Sequence, residues 1–212
     1  MKYYLHLQEL VYKETTVAVY VPNGKQVQEL YLQQKKEDEQ TIFPYWSKIW
    51  AAAYAMSEFL IDHLNLISNK NVVELAAGLA LPSLVAAKYA TSVYVSDQAA
   101  DAMEIVQHSA KHNGFVNITT KVLDWKQLQS SFAADIVLMS DINYEPSNFE
   151  ALYYIISNLL QKDITIILST PQRLMAKTFI EKLLPFATMQ ENKSVIEDDT
   201  ETEVSIFVLK AN

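Results

Sequence analysis

The sequence contains no cysteine and only three glycines among 212 residues. The first absence excludes disulfide bridges and thiolate chemistry. The second bears on ligand loops, because backbone that closely approaches a phosphate is usually built from several glycines. No apolar run approaches the roughly 20 residues needed to cross a bilayer. The opening stretch, MKYYLHLQELVYKE, lacks the uninterrupted apolar core of a signal peptide. Positive charge is also short, with 17 Lys and Arg against 25 Asp and Glu and a formal net charge of −8. That balance argues against a general nucleic-acid binder, which needs cations to neutralise phosphates. Neither a G-x-S-x-G elbow nor a Walker A lysine is present. The expectation is a cytoplasmic protein with no membrane partner.

What is there is the composition of a globular protein, half hydrophobic and one fifth charged. No linker of Pro, Gly or Ser divides the chain, so a single domain is expected: an N-terminal extension over 1–42 packed on a main body over 43–212. Residues 2–21 read as two strands, one marked by the alternation Thr15, Val17, Val19, Val21. Pro22-Asn23-Gly24 signals a turn. Residues 26–40 are a polar helix or a loosely held segment. Trp46, Ile49, Trp50, Ala53, Met56 and Leu60 follow a three-four spacing that predicts one amphipathic helix over 46–62.

Beyond that helix, short apolar runs alternate with helical patterns. The runs lie at 72–75, 93–95, 118–123, 136–139 and 164–168. Continuous apolar strands separated by helices imply a parallel sheet covered on both faces. The last two runs, 186–190 and 204–209, are joined by ENKSVIEDDTETE with no room for a helix. An antiparallel hairpin with a solvated acidic turn is the economical solution. The expected fold is therefore α/β, a doubly wound, mostly parallel seven-stranded sheet closed by a C-terminal hairpin.

The most informative stretch is NVVELAAGLALPSL, residues 71–84, a strand running through a turn into a helix. In such sheets ligands sit beyond the carboxyl ends of the strands, at the switch point. A dinucleotide fingerprint needs glycines where Ala76, Gly78 and Leu81 stand, and only Gly78 fits. Pro82 also removes a helix N-terminal amide that a phosphate would use. A cofactor without phosphates is easier to place. S-adenosylmethionine needs one close backbone approach, which Gly78 can supply, and a carboxylate for its ribose hydroxyls. Asp97, in VYVSDQ about 20 residues further on, stands where that carboxylate is expected. It could instead cap the helix that follows.

PYWSKIWAAAYAMSEFL, VVELAAGLALPSL, VSD, LDW and VLMSDINYEP, in this order, resemble the seven-β-strand lysine methyltransferase family, whose bacterial members are often called nicotinamide N-methyltransferase-like. The resemblance covers 43 to about 175. It implies cofactor contacts from Trp50, Glu74, Ala76, Gly78, Asp97, Trp125 and Ser140. It also implies a D-x-x-Y pair, Asp141 and Tyr144, at the point of methyl transfer. The family's loop usually reads E-L-G-x-G-x-G-L-P, and here Ala76 and Ala80 replace the outer glycines. If these positions need positive φ, each β-carbon costs roughly 1–2 kcal/mol; if not, alanine lowers the entropy cost of ordering the loop.

The implied activity is S-adenosylmethionine-dependent N-methylation, with a protein lysine as leading acceptor. Two alternatives stay open: a small amine or ring nitrogen, and a silent member that binds without turnover. Asp141 is expected to accept hydrogen bonds from the acceptor amine, and Tyr144 to offer an aromatic face. His108 and His112 lie four apart on one predicted helix, but nothing completes a metal motif around them. No metal is expected.

Overall fold

The computed structural model describes residues 2–128, 133–197 and 199–211. It opens with an antiparallel hairpin, β1 (Leu5–Tyr12) and β2 (Thr15–Pro22), whose alternating Val17 and Val19 turn inward. Asn23 then caps α1 (Gly24–Glu37), its Oδ1 accepting from the Gln26 amide at 3.1 Å. That cap resolves the polar segment as a helix although Val27 is its one buried residue.

The next helix is shorter than its apolar spacing predicts. Tyr45–Ser47 forms a single 3₁₀ turn, Lys48 is extended, and α2 spans Ala51–Asp62 with Trp50 as its N-cap. Ser47 Oγ closes the turn on the Pro44 carbonyl at 2.8 Å. Trp46, within that turn, is half-buried and Ile49, beyond it, is buried, so both fit a helical spacing without being helical.

The remaining elements are β3 (Asn71–Leu75), α3 (Leu81–Ala87), β4 (Ser92–Asp97), α4 (Ala100–His112), β5 (Ile118–Val122), β6 (Ile136–Ser140), α5 (Phe149–Leu160), β7 (Thr165–Pro171), α6 (Lys177–Leu183), β8 (Ala187–Glu197) and β9 (Thr200–Leu209). Seven strands form one sheet in the order β5-β4-β3-β6-β7-β9-β8. The pairs among β5, β4, β3, β6 and β7 are parallel, while β9 is antiparallel to both neighbours. The expected fold is thus observed. The acidic segment is less of a turn than predicted, since most of it extends the two strands of the closing hairpin. Asp198 of that segment lies outside the described residues.

Strand alternation sorts the core into two layers. Val72, Val95, Leu138 and Ile167 face α2, α3 and α4, whereas Val73, Leu75, Val137 and Met139 face α5 and α6. The hairpin β1–β2 stays outside the main sheet and docks on α4. There Asn113 accepts from the Ala18 amide at 2.9 Å and donates to the Ala18 carbonyl at 2.6 Å. The switch point lies between β3 and β6, so their carboxyl ends open a crevice on one edge of the molecule.

Candidate active site

The loop after β3 is wound through three left-handed residues, Ala76 (φ 52°), Gly78 (φ 53°) and Ala80 (φ 57°). Both alanines therefore carry the backbone strain that glycine would avoid. Gly78 has a second constraint: a β-carbon there would lie 3.3 Å from the Trp46 carbonyl oxygen. Close approach of the loop to the 3₁₀ turn thus depends on the missing side chain.

Two carboxylates hold this loop. Asp97, at the end of β4, accepts from the Gly78 amide and the Ala99 amide, each at 2.9 Å. It therefore steadies the start of α4 and the loop after β3 together. Burial pushes its carboxyl above the ordinary range, against the pull of the amides of Ala99, Gly78 and Gln98. Glu74 holds the loop at its far end, through the first turn of α3. Alternation along β3 turns it to the Val72 face, where its Oε2 accepts from the Ser83 amide at 3.0 Å and from the Ser83 hydroxyl. It is fully buried, its Oε1 has no partner, and burial raises its carboxyl to about 8. Glu74 therefore sits beneath the loop, as a neutral acid near pH 7, and is the one sequence-predicted site residue that does not line the crevice.

The others share one cavity of about 260 Å³: Trp50, Ala76, Gly78, Asp97, Trp125, Ser140, Asp141 and Tyr144. Trp50 is pinned by its Nε1, which donates to the Tyr45 carbonyl at 2.8 Å. Tyr45 in turn packs against Tyr144, with ring centroids 5.3 Å apart. Trp125 is set by a 3₁₀ turn capped by Asp124, which accepts from the Lys126 amide at 3.0 Å. Ser140 ends β6, its Oγ 3.4 Å from that of Ser169 on β7.

Asp141 follows directly in a left-handed conformation (φ 52°), its amide donating to the Ser169 carbonyl at 2.9 Å. Such a conformation is tolerated by Asp and recurs where function demands strain. Its carboxylate receives the guanidinium of Arg173 in a fork, Nη1 to Oδ1 and Nη2 to Oδ2, the latter at 2.9 Å. Burial, followed by the carboxylates of Asp97 and Glu145, raises the Tyr144 phenol and keeps it neutral.

A family model described as lysine methyltransferase matches residues 25–186. The chain belongs to that family. The ordered motifs read from the sequence and the seven-stranded sheet agree with this membership. Among curated relatives, Histone-arginine methyltransferase METTL23 of Xenopus laevis is 29% identical over 154 residues, covering 66% of this chain and 65% of that protein. Protein N-lysine methyltransferase METTL21A of Xenopus tropicalis is 27% identical over 165 residues, covering 75% and 74%. The chain spans between 49% and 75% of the length of the METTL23 relatives it matches. A Pyrococcus horikoshii structure solved as that of a candidate RNA methyltransferase superposes with a TM-score of 0.62 at 16% identity. It covers 79% of this chain and 90% of that one, and shows the shared fold.

Within this lysine methyltransferase family member, sequence reasoning missed Arg173, Lys48 and Tyr45, all of which line the cavity. Arg173 had one readable signal, a charged residue just past the carboxyl end of a parallel strand. No group of three or more His, Asp or Glu able to hold a metal occurs among the described residues.

Proposed function

We propose that the protein is an S-adenosylmethionine-dependent N-methyltransferase whose acceptor is a lysine side chain of a protein. The observation carrying this reading is the meeting of the Gly78 loop, Asp97 and the Asp141–Tyr144 pair around one cavity, in a chain of this family. The residues suit the cofactor. Gly78 lines the cavity with bare backbone that a methionine moiety can approach closely, and Asp97 offers a buried carboxylate for vicinal hydroxyls. Trp50, Ala76, Trp125 and Ser140 supply the remaining walls. When bound, the cofactor contributes a methyl group already activated by a sulfonium.

The chain then has to present a neutral nitrogen lone pair and exclude water. Lysine reaches the site mostly protonated, with a reference pKa near 10.4. Partial burial between the Tyr45, Trp50 and Tyr144 rings disfavours the ammonium form. Asp141 accepts hydrogen bonds from the amine, aims its lone pair and stabilises the cation that forms on transfer. The neutral Tyr144 presents its ring face to the alkylammonium.

Purified protein incubated with radiolabelled cofactor and cell extract is expected to label a protein lysine. Asp141→Ala is expected to abolish labelling while cofactor affinity stays within a few-fold; normal labelling by that variant would remove Asp141 from this role. An arginine acceptor is a second reading. It is favoured by the Asp141 carboxylate already receiving a guanidinium as a fork, and by the similarity to METTL23. Mass spectrometry of the labelled residue separates the two.

A further inference from the structure

The cavity holds a charge arrangement that simple amine recognition does not explain. A carboxylate meant to receive an incoming amine should have free lone pairs directed at the space the amine enters. Here both oxygens of Asp141 already receive N–H donors from Arg173, which lies 32 residues later, in the loop that follows β7. The bidentate geometry makes this the strong form of an Arg–carboxylate contact. Asp141 keeps 10% of its side chain exposed and Arg173 keeps 29%, so the pair sits at the lip of the cavity rather than inside the core.

The other charged or titratable groups lining the cavity are Tyr144 on the same loop, Asp97 at the end of β4, and Tyr45 and Lys48 from the segment before α2. Glu145 stands beside Tyr144 and acts on it electrostatically. Lys48 is engaged elsewhere, 2.9 Å from Glu197 and with its ammonium over the Trp50 ring. Among the described residues lining the cavity, Arg173 is therefore the cation that answers Asp141.

This pairing resolves a conflict in the proposed chemistry. A bare, mostly buried carboxylate would bind an alkylammonium tightly and, for the same reason, hold its proton. Methyl transfer requires that proton to pass to solvent before the nitrogen attacks. We propose that Arg173 is a positioning residue of the acceptor site: it keeps Asp141 in an electrically neutral fork, so that a cationic acceptor is admitted without being locked onto the carboxylate in its protonated form. The inference rests on the reading of Asp141 as the acceptor-side carboxylate. The incoming group exchanges one donor with Arg173 instead of meeting an unpaired charge, and Arg173 keeps its remaining contact with Asp141.

The test uses cofactor-free protein and n-butylamine, the lysine side chain without its backbone, with binding followed by the fluorescence of Trp46, Trp50 and Trp125, which all line the cavity. At pH 7 the probe is a cation, and Arg173→Gln is expected to bind it about tenfold tighter than the wild type, the low end of what one unit charge near a carboxylate contributes. 1-Butanol, similar in shape and uncharged, is expected to bind both proteins alike. Arg173→Lys restores the charge without the fork, and because the expected effect is one of charge it should stay within about threefold of the wild type. Arg173→Met serves in the same way should the Gln variant not fold. Unchanged or weaker butylammonium binding in the neutral variants overturns the proposal, as does an equal gain for 1-butanol, which would report a wider cavity instead.

In turnover, the pH profile of kcat for Arg173→Gln is expected to move upward by about one unit, with KM falling at pH 7. A merely structural role for Arg173 would lower kcat without moving the profile, and that result also counts against the proposal. Failure to bind S-adenosylhomocysteine would sink the methyltransferase reading alone, because the amine titration needs no cofactor.

Discussion

At the scale of single residues, the ligand loop shows strain that its sequence left undecided. Ala76 and Ala80 both sit at positive φ, so replacing either by glycine removes about 1–2 kcal/mol of backbone strain and adds about 0.5–1 kcal/mol of chain entropy cost. The two sites then diverge by burial. Ala80 is 1% exposed, and losing its methyl costs about 0.8 kcal/mol, which leaves Ala80→Gly near neutral. Ala76 is half-buried at the cavity wall, and Ala76→Gly is expected to raise the melting temperature by about 2 °C. A fall in the calorimetric midpoint of Ala76→Gly contradicts the strain assignment. Glu74 gives a prediction in pH. Its carboxyl is raised from an ordinary 4.5 to about 8, so between these values the folded chain holds a proton that the unfolded chain has lost. Stability is fully present below that window and declines as pH rises through it, by up to about 1.4 kcal/mol per unit. Asp97, also raised, adds to the same trend. Glu74→Gln cannot titrate, and urea midpoints compared at pH 5.5 and 7.5 are expected to fall less in that variant than in the wild type. These residues also show where reading the sequence stops. The acidic residue ahead of the loop is visible as a motif, but its side depends on strand alternation against a helix not yet placed. Arg173 lies 32 residues from Asp141 with no pattern linking them, and only the parallel pairing of β6 and β7 brings their following loops together.

Among the elements, apolar periodicity was sufficient wherever a segment is buried on both faces. β3, β4, β6 and β7 fall on the predicted runs because a central parallel strand must be apolar throughout. It failed where burial is one-sided. β8 is an edge strand, exposed at most positions, so its polar residues concealed half its length. The helix predicted over 46–62 loses its first turn because Tyr45–Ser47 is a 3₁₀ turn and the chain is extended at Lys48 and Trp50, although Ile49 between them is buried. The N-terminal hairpin was visible as alternation, but its docking was not, since that is made by side chains scattered along the chain, among them Tyr89, Ser109 and Asn113. Asn113 serves both backbone groups of Ala18 and also donates to the Ser109 carbonyl at 2.7 Å. Asn113→Ala is expected to cost about 1–3 kcal/mol of local stability. Hydrogen exchange at the Ala18 amide should accelerate about tenfold or more, while amides of β3 and β6 change little. Equal acceleration in the central strands would show that the hairpin and sheet unfold as one unit.

Across the whole molecule, the crevice has two sides that belong to different halves of one sheet. The ligand loop and Asp97 come from β3 and β4; Asp141, Tyr144 and Arg173 come from the loops after β6 and β7. A ligand spanning the switch point therefore ties both halves of the sheet together, and its binding should appear as global stability. S-adenosylhomocysteine at 100 times its dissociation constant adds about 2.7 kcal/mol. In a chain of this size that corresponds to a rise in melting temperature of about 5–10 °C. Asp97→Ala separates two contributions of the same carboxylate. The free variant should melt lower, because the Gly78 and Ala99 amides lose their acceptor, and the shift on adding ligand should shrink as well. Dinucleotides and ATP should leave the wild type unshifted, since a loop with one glycine and a proline in the first turn of α3 offers phosphates too few amides. A thermal shift with ATP equal to that with S-adenosylhomocysteine would mean that the crevice selects for the adenosine alone. The Gly78 loop would then have no part in telling a sulfur-bearing nucleoside from a phosphorylated one.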